Sequence, residues 1–244
     1  MTEHFEFKFT PTGENRIVYI NLPEGYENGT ERYCVLYMFD GQMTLSGDDD
    51  RFLKILGEKG IDVITVGVPS SSKEPERLSE YSPYDVNARI LGEIRGTGAA
   101  TAKWLVEELK PYIDATYRTY PDRDDTAIGG FSMGGIEALY TALVYNDTFS
   151  RCMAISPAIY SYLNGLRDEI CEKKLQPAGY YVSWGGREYN AISNQALGIG
   201  LMDLQHDILD RGARMMIKCF PNGRHNMESW TAQLPEIIDW LFLS

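Results

Sequence analysis

A chain of 244 residues, 43% of them hydrophobic, is long enough to bury a substantial core without disulfide or metal staples. Lys and Arg total 23 against 35 Asp and Glu, a formal charge of −12. That mean field repels polyanions, which argues against nucleic acid and anionic membrane surfaces as partners.

The opening MTEHFEFKFT has neither a basic n-region nor an apolar h-region and does not read as a signal peptide. No run of about 18 apolar residues is present to span a membrane. A reduced, cytoplasmic protein is the expectation. Cys34, Cys152, Cys171 and Cys219 form no C-x-x-C pair and have no His at ligand spacing, so no metal site is expected. Cys34, Cys152 and Cys219 fall in strand-like apolar runs, where cysteine serves as a small buried hydrophobe.

In chain order, Phe5–Thr10 and Arg16–Leu22 alternate polar and apolar residues, as half-exposed antiparallel strands do. Tyr33–Phe39 and Ile61–Val68 are nearly continuous apolar runs, the pattern of strands covered on both faces. Asp40-Gly41-Gln42-Met43 follows the first of these where a dinucleotide binder would carry G-x-G-x-x-G. Asp48–Asp50 lack the spaced ligands and glycine of a calcium loop and read as a solvated, helix-starting face. Pro69–Arg95 is long, polar and turn-rich, the character of a lid or binding loop. Within it Arg77, Arg89 and Arg95 are candidates to bind a carboxylate, with an Arg77–Glu80 pair as the structural alternative.

A helix is predicted over Gly98–Tyr117, then strand Thr126–Gly130, helix Met133–Tyr145 and strand Arg151–Ile155. Ser156–Ala178 is a weakly helical connection and a second candidate binding segment. Strand Gly179–Trp184, helix Ile192–Arg211, strand Arg214–Phe220 and helix Met227–Phe242 complete the chain. The run MMIKCF in the last strand again predicts cover on both faces. Strands separated by helices of this length predict right-handed βαβ crossovers. The expected fold is therefore α/β, of the α/β-hydrolase plan. It has a mostly parallel sheet of about eight strands, an antiparallel N-terminal hairpin and helices on both faces, as one domain over 1–244.

Gly130-Phe131-Ser132-Met133-Gly134 matches G-x-S-x-G between a predicted strand and a predicted helix. Such a turn presents the Ser hydroxyl above the sheet, and larger flanking residues would collide as strand and helix close. The helix N-terminus aims backbone amides at a developing oxyanion, and Met133 is expected to supply one of them. The second is expected from the loop after Tyr33–Phe39, where the Gln42 amide is the candidate. Asp40 is expected to hold that loop through local side-chain-to-backbone bonds.

Three histidines are available as the general base. His4 precedes the sheet, and His206 lies among acidic residues in a helix. His225, in the loop Pro221–Asn226 after the last strand, stands where the order Ser, acid, His requires it. Glu188 is the first carboxylate after strand Gly179–Trp184, with Gly185 and Gly186 expected to let the loop turn toward the imidazole. Asp203 is the alternative acid. Among the aromatic residues available to stack on a substrate, Tyr84, Tyr160 and Trp230 are the chosen candidates, alongside Tyr81 and Tyr162.

The chain carries LYMFDGQ at 36–42, ERLSEYSP at 76–83 and ELKPYIDATYRTYPDRDDTAIGGFSMGG at 108–135. FSRCMAISPAIY at 149–160, GGRE at 185–188 and GRHNMESW at 223–230 follow. Over nearly its whole length it resembles the esterase family of enterochelin esterases, esterase D-like S-formylglutathione hydrolases and carbohydrate esterases such as feruloyl and acetylxylan esterases. The resemblance places the family's serine, acid and histidine on Ser132, Glu188 and His225. It implies carboxylic ester hydrolysis through an acyl-enzyme, with no metal or organic cofactor. The implied substrate is a small-molecule ester of aryl, feruloyl- or acetyl-sugar, or siderophore-like type. Two features depart from the family. Met43 stands where it often has Asn after DGQ, and the extra N-terminal domain of enterochelin esterases is not expected in this chain. An acyltransferase or thioesterase on the same residues is the alternative, and a catalytically silent binding protein is a further one. The acyl group, the alcohol and the oligomeric state, a homo-oligomer included, stay open.

Overall fold

The computed structural model describes residues 2–45, 51–88 and 92–243, so the expectations for Asp48–Asp50 and Arg89 lie outside the described residues. The alternating segments form a hairpin in which β1 (Thr2–Phe9) and β2 (Glu14–Asn21) pair antiparallel, with Val18 and Ile20 turned inward. β3 (Cys34–Phe39) runs into one helical turn, α1 (Gly41–Thr44), and α2 (Arg51–Glu58) precedes β4 (Val63–Val68). α3 (Glu74–Glu80) and a small hairpin, β5 (Val86–Ala88) with β6 (Gly92–Ile94), occupy the polar insertion. α4 (Gly98–Trp104) continues through a π-helical turn at Leu105–Leu109 into α5 (Lys110–Thr116). Then come β7 (Thr126–Phe131), α6 (Ser132–Val144), β8 (Arg151–Ile155) and α7 (Leu163–Ile170). β9 (Gly179–Gly185), α8 (Ala191–Asp210), β10 (Arg214–Phe220), α9 (Met227–Thr231) and α10 (Leu234–Ile238) complete the series.

The main sheet has eight strands in the order β1-β2-β4-β3-β7-β8-β9-β10. β2 joins β4 antiparallel, and every pair from β4 to β10 is parallel. Alternate residues of the inner strands enter two cores. Tyr37, Val66, Ile128, Cys152 and Val182 pack with residues of α4 to α8, including Trp104, Ile136 and Leu201. Leu36, Met38, Met153 and Tyr181 pack on the other face with Phe52, Leu56, Ile237 and Leu241. Cover on both faces is why these strands read as unbroken apolar runs. This arrangement is the α/β-hydrolase fold. The strand order reverses between β3 and β7, and ligands of open α/β sheets bind outside the carboxyl ends at such a point. No helix among the described residues is long and apolar enough to cross a membrane.

Three expectations are corrected. β10 is the last strand of the sheet and is partly exposed, Met216 at 40%, because it has one neighbouring strand and its apolar run lies beyond the two-sided core. Cys219 on it is accordingly exposed and Cys34 half-buried, leaving Cys152 as the buried strand cysteine; all four cysteines are free thiols. The segment Met227–Phe242 is not one helix. It breaks between Thr231 and Leu234, where Pro235 in the first turn of α10 cannot donate a backbone bond backward.

Candidate active site

β7 and α6 meet at Ser132, whose φ of 53° lies in the left-handed region that a non-glycine residue enters only under constraint. The neighbours explain the glycines around it. A Cβ on Gly130 would lie 2.3 Å from the Gly134 carbonyl oxygen. One on Gly134 would come within 3.1 Å of Asp40 Oδ2. The first turn of α6 thus abuts both its own strand and the turn after β3. Ser132 begins α6 and Met133 follows, in the first turn, where helical amides have no intrahelical acceptor. The Ser132 carbonyl accepts a bond from the Ala158 amide at 3.1 Å, which ties the turn to the segment leaving β8.

His225 and Glu188 come from the loops after β10 and β9. These loops are joined by Gly186 N–H to the Phe220 carbonyl at 2.8 Å and Arg187 N–H to the Gly223 carbonyl at 3.0 Å. A Cβ on Gly185 would stand 2.3 Å from the Gly223 oxygen, and Gly185 does not have a positive φ. Its glycine therefore serves close approach of two backbones, where flexibility of the loop was the expectation. The result is a continuous hydrogen-bonded chain. Glu188 Oε2 lies 2.9 Å from His225 Nδ1, and His225 Nε2 lies 2.8 Å from Ser132 Oγ. Asp203, the alternative acid, sits on α8 beside Arg167 at 3.6 Å.

The Glu188 side chain is 2% exposed, whereas that of His225 is 41% exposed. Burial alone would raise the Glu188 carboxyl. Hydrogen bonds from His225, from Ser156 Oγ at 2.6 Å and from the Gly185 amide at 2.6 Å outweigh it and hold the group below the usual carboxylate range. An ionised Glu188 accepts only, so Nδ1 of His225 carries the proton and Nε2 faces Ser132 as an acceptor. Ser156 was not foreseen. Its φ of 46° turns the chain at the end of β8 so that its hydroxyl reaches Glu188, 32 residues away. The only sequence cue was its place at a carboxyl end next to β7.

Asp40, at the end of β3, also has a positive φ, 58°. Its side chain does not make the expected local backbone bonds. It accepts Arg77 Nε at 2.8 Å and Nη2 at 2.6 Å, and Ser70 Oγ at 3.1 Å. Arg77 is thereby occupied rather than open to a ligand carboxylate, and Glu80 pairs with Arg16 instead, at 2.6 Å. Arg95 is exposed. Gln42 lies in α1, its side chain donating to Ser70 Oγ at 2.6 Å. Met43, the departure after DGQ, is 53% exposed.

The aromatic candidates separate. Trp230 is 8% exposed, edge-on to His225 with ring centroids 4.9 Å apart, and stacked on Phe131 at 5.4 Å. It braces the imidazole more than it faces solvent. Tyr84 packs edge-on against Tyr140 and donates to the Gly165 carbonyl at 3.2 Å. Tyr160 is 52% exposed in a 3₁₀ turn beyond β8. Tyr81 and Tyr162 are buried, bonded to the Asp40 amide and the Ser82 hydroxyl.

With that geometry in place, comparison with known proteins is informative. Residues 10–191 match the family model described as "Putative esterase". Esterase Rv1288 of Mycobacterium tuberculosis is 29% identical over 150 residues, 60% of this chain and 30% of that protein. The endo-1,4-beta-xylanase/feruloyl esterase of Xylanibacter ruminicola is 27% identical over 154 residues, 61% of this chain and 20% of that enzyme. The chain thus spans under a third of the length of these relatives. In structure it is similar to an IroE-like serine hydrolase from Shewanella oneidensis, with TM-score 0.79 and 22% identity over 100% of this chain and 80% of that one. The family model covers most of the sequence, including the Ser132 turn and the Glu188 loop, and the chain belongs to the putative esterase family.

Proposed function

We propose that this chain is a serine esterase in which Ser132 is the nucleophile, His225 the general base and Glu188 the acid that orients it. The observation that carries this reading is the continuous chain from Glu188 through His225 to Ser132, at 2.9 and 2.8 Å. His225 Nε2 takes the Ser132 proton as Oγ attacks the ester carbonyl. The tetrahedral oxyanion is held by the amides of Met133 and Gln42. Collapse expels the alcohol, which leaves with the proton from His225, and an acyl group remains on Ser132. Water, deprotonated by the same imidazole, attacks that acyl group and releases the carboxylic acid. Glu188 stays ionised and stabilises the imidazolium at each step. No cofactor enters this scheme.

The substrate is a small-molecule ester. Exposed Tyr160 is available to stack on an aryl, feruloyl or siderophore-like acyl group. Hydrolysis of p-nitrophenyl acetate by the purified chain and by Ser132→Ala tests the reading. The variant should lose about 10⁴-fold or more in kcat. Turnover retained in Ser132→Ala would overturn it, and aryl, acetyl, feruloyl and thioester substrates run in parallel would define the acyl group.

A further inference from the structure

We infer that Arg77 is a positioning residue for the oxyanion turn, fixing through Asp40 the backbone that carries the Gln42 amide. The inference rests on the esterase reading above and adds a role for the polar insertion 69–95.

Asp40 is pinned at every group it has. Its carbonyl accepts the Met43 and Thr44 amides at 2.8 and 3.2 Å, closing the α1 turn. Its own amide donates to Tyr81 Oη at 3.0 Å. Both carboxylate oxygens meet the Arg77 guanidinium, at 2.8 and 2.6 Å, in the fork geometry that fixes orientation as well as distance. The left-handed conformation of Asp40 is unfavourable for a side chain, and Asp tolerates it when its own groups are held. Arg77 and Tyr81 lie on α3 and its C-terminal cap, and Ser70 just before it. One short stretch of chain, residues 70–81, therefore supplies every side-chain pin. The pair is shielded, with Asp40 4% and Arg77 14% exposed, so solvent screens it little.

Gln42 is tied into the same network. Its Nε2 donates to Ser70 Oγ at 2.6 Å, its Oε1 accepts the Ser70 amide at 3.3 Å, and Ser70 Oγ donates to Asp40 Oδ1. On the other side, the Gly134 backbone of α6 stands against Asp40 Oδ2. The Arg77–Asp40 pair thus sets where the α1 turn lies relative to the helix that begins at Ser132. α3 has a single buried residue, Glu80, which pairs with Arg16. Leu78 packs on the core only half-buried and the Tyr81 cap lies against Phe39, and the ion pairs of Arg77 and Glu80 add fixed orientation to that apolar anchor.

The test measures kcat and KM for p-nitrophenyl acetate, the inhibition constant of an aryl trifluoromethyl ketone, and Tm. The proteins are the full chain, Arg77→Ala, Arg77→Lys, Asp40→Asn and the Arg77→Ala/Asp40→Asn double variant. The ketone forms a tetrahedral oxyanion on serine and so reads the position of the amides directly. Loss of one oxyanion donor lowers kcat about 10²–10³-fold, so a displaced donor should lower it about 10–100-fold. Arg77→Ala should show that fall with KM within about twofold, and ketone affinity should drop by the same factor. Arg77→Lys should fall between, because the charge stays and the fork is lost. The double variant should be no worse than the poorer single one, since both remove the same contact. A folded Arg77→Ala with kcat and ketone affinity within about twofold of the parent overturns the inference. So does a kcat loss that leaves ketone affinity unchanged. If Arg77→Ala does not fold, a folded Arg77→Lys with parental kcat and ketone affinity overturns it equally. Failure of the esterase reading looks different: the parent chain itself would neither turn over the ester nor bind the ketone.

Discussion

Gly185 and Gly223 pack backbone to backbone, so that a Cβ on Gly185 would stand 2.3 Å from the Gly223 carbonyl oxygen. That contact closes the gap between the loops after β9 and β10 and brings Glu188 onto His225 at 2.9 Å. Gly185→Ala should push the loops apart by several tenths of an ångström at least. Steric insertion of this kind costs about 1–3 kcal/mol. Stability should fall by that order, and kcat should drop about 10–100-fold through misplacement of the base. Thermal melts together with ester turnover check this. An alanine variant with parental kcat would show that the close approach does not position the acid.

Glu188 should matter for both rate and stability. Replacement by Gln keeps the shape but removes the charge that fixes the His225 tautomer, and kcat should fall about 10³–10⁴-fold. The stability effect has a defined pH window. The folded carboxyl is held below its ordinary value of 4.5 by its three hydrogen bonds, so its contribution is complete above pH 4.5. The contribution is lost as pH falls through the lower folded value. Melting curves of the parent and Glu188→Gln should therefore differ at pH 7 and converge as pH falls below 4.5. A gap that persists unchanged at low pH would contradict the ionised assignment.

Ser156 should act through Glu188. Ser156→Ala removes one of the bonds that lower the carboxyl, so the acid-side loss of stability should still begin near pH 4.5 but be smaller and end at higher pH than in the parent. The kcat should fall several-fold, because the carboxylate loses one of the groups that orient it. Parental pH dependence and rate in this variant would leave Ser156 without a role.

Glu137 behaves in the opposite sense. It is fully buried on α6, and neither carboxyl oxygen has a hydrogen-bond partner among the described residues. Burial pushes its carboxyl well above 4.5, so the folded chain keeps a proton that the unfolded chain releases. Its contribution to stability is complete below pH 4.5 and declines as pH rises toward the folded value. Glu137→Gln should remove that decline, raising Tm at pH 7–8 relative to the parent and leaving it little changed near pH 4. Equal Tm differences at both pH values would contradict a neutral Glu137.

The eight main strands were legible because each buries side chains on one or two faces, and burial writes itself as alternation or as an apolar run. β10 shows the limit of that signal, since MMIKCF reads like an inner strand and lies at the edge. α3 left no apolar pattern because Glu80 is its one buried residue, Leu78 is only half-buried, and ion pairs supply the rest of its anchoring. The Ser132 turn and the His225 loop could be read from local spacing and chain order. Ser156 and the Arg77–Asp40 pair could not, because each joins residues more than 30 apart and nothing local to either partner announces the other. Tyr84 and Trp230 are candidates because they are aromatic and fall in Pro69–Arg95 and after His225, where substrate contacts are expected. Whether such a ring meets ligand depends on packing, and Tyr84 is committed to Tyr140 and Gly165.

The central claim is that Ser132 is an activated nucleophile. Incubation of the chain with a fluorophosphonate, followed by peptide mass spectrometry, tests it most directly, because the phosphorus forms a bond to Oγ only when a base removes the hydroxyl proton. The account predicts one stoichiometric adduct on Ser132, lost in Ser132→Ala and slowed at least 10²-fold in His225→Ala. A folded parent chain without an adduct, or with one on a different serine, would contradict it.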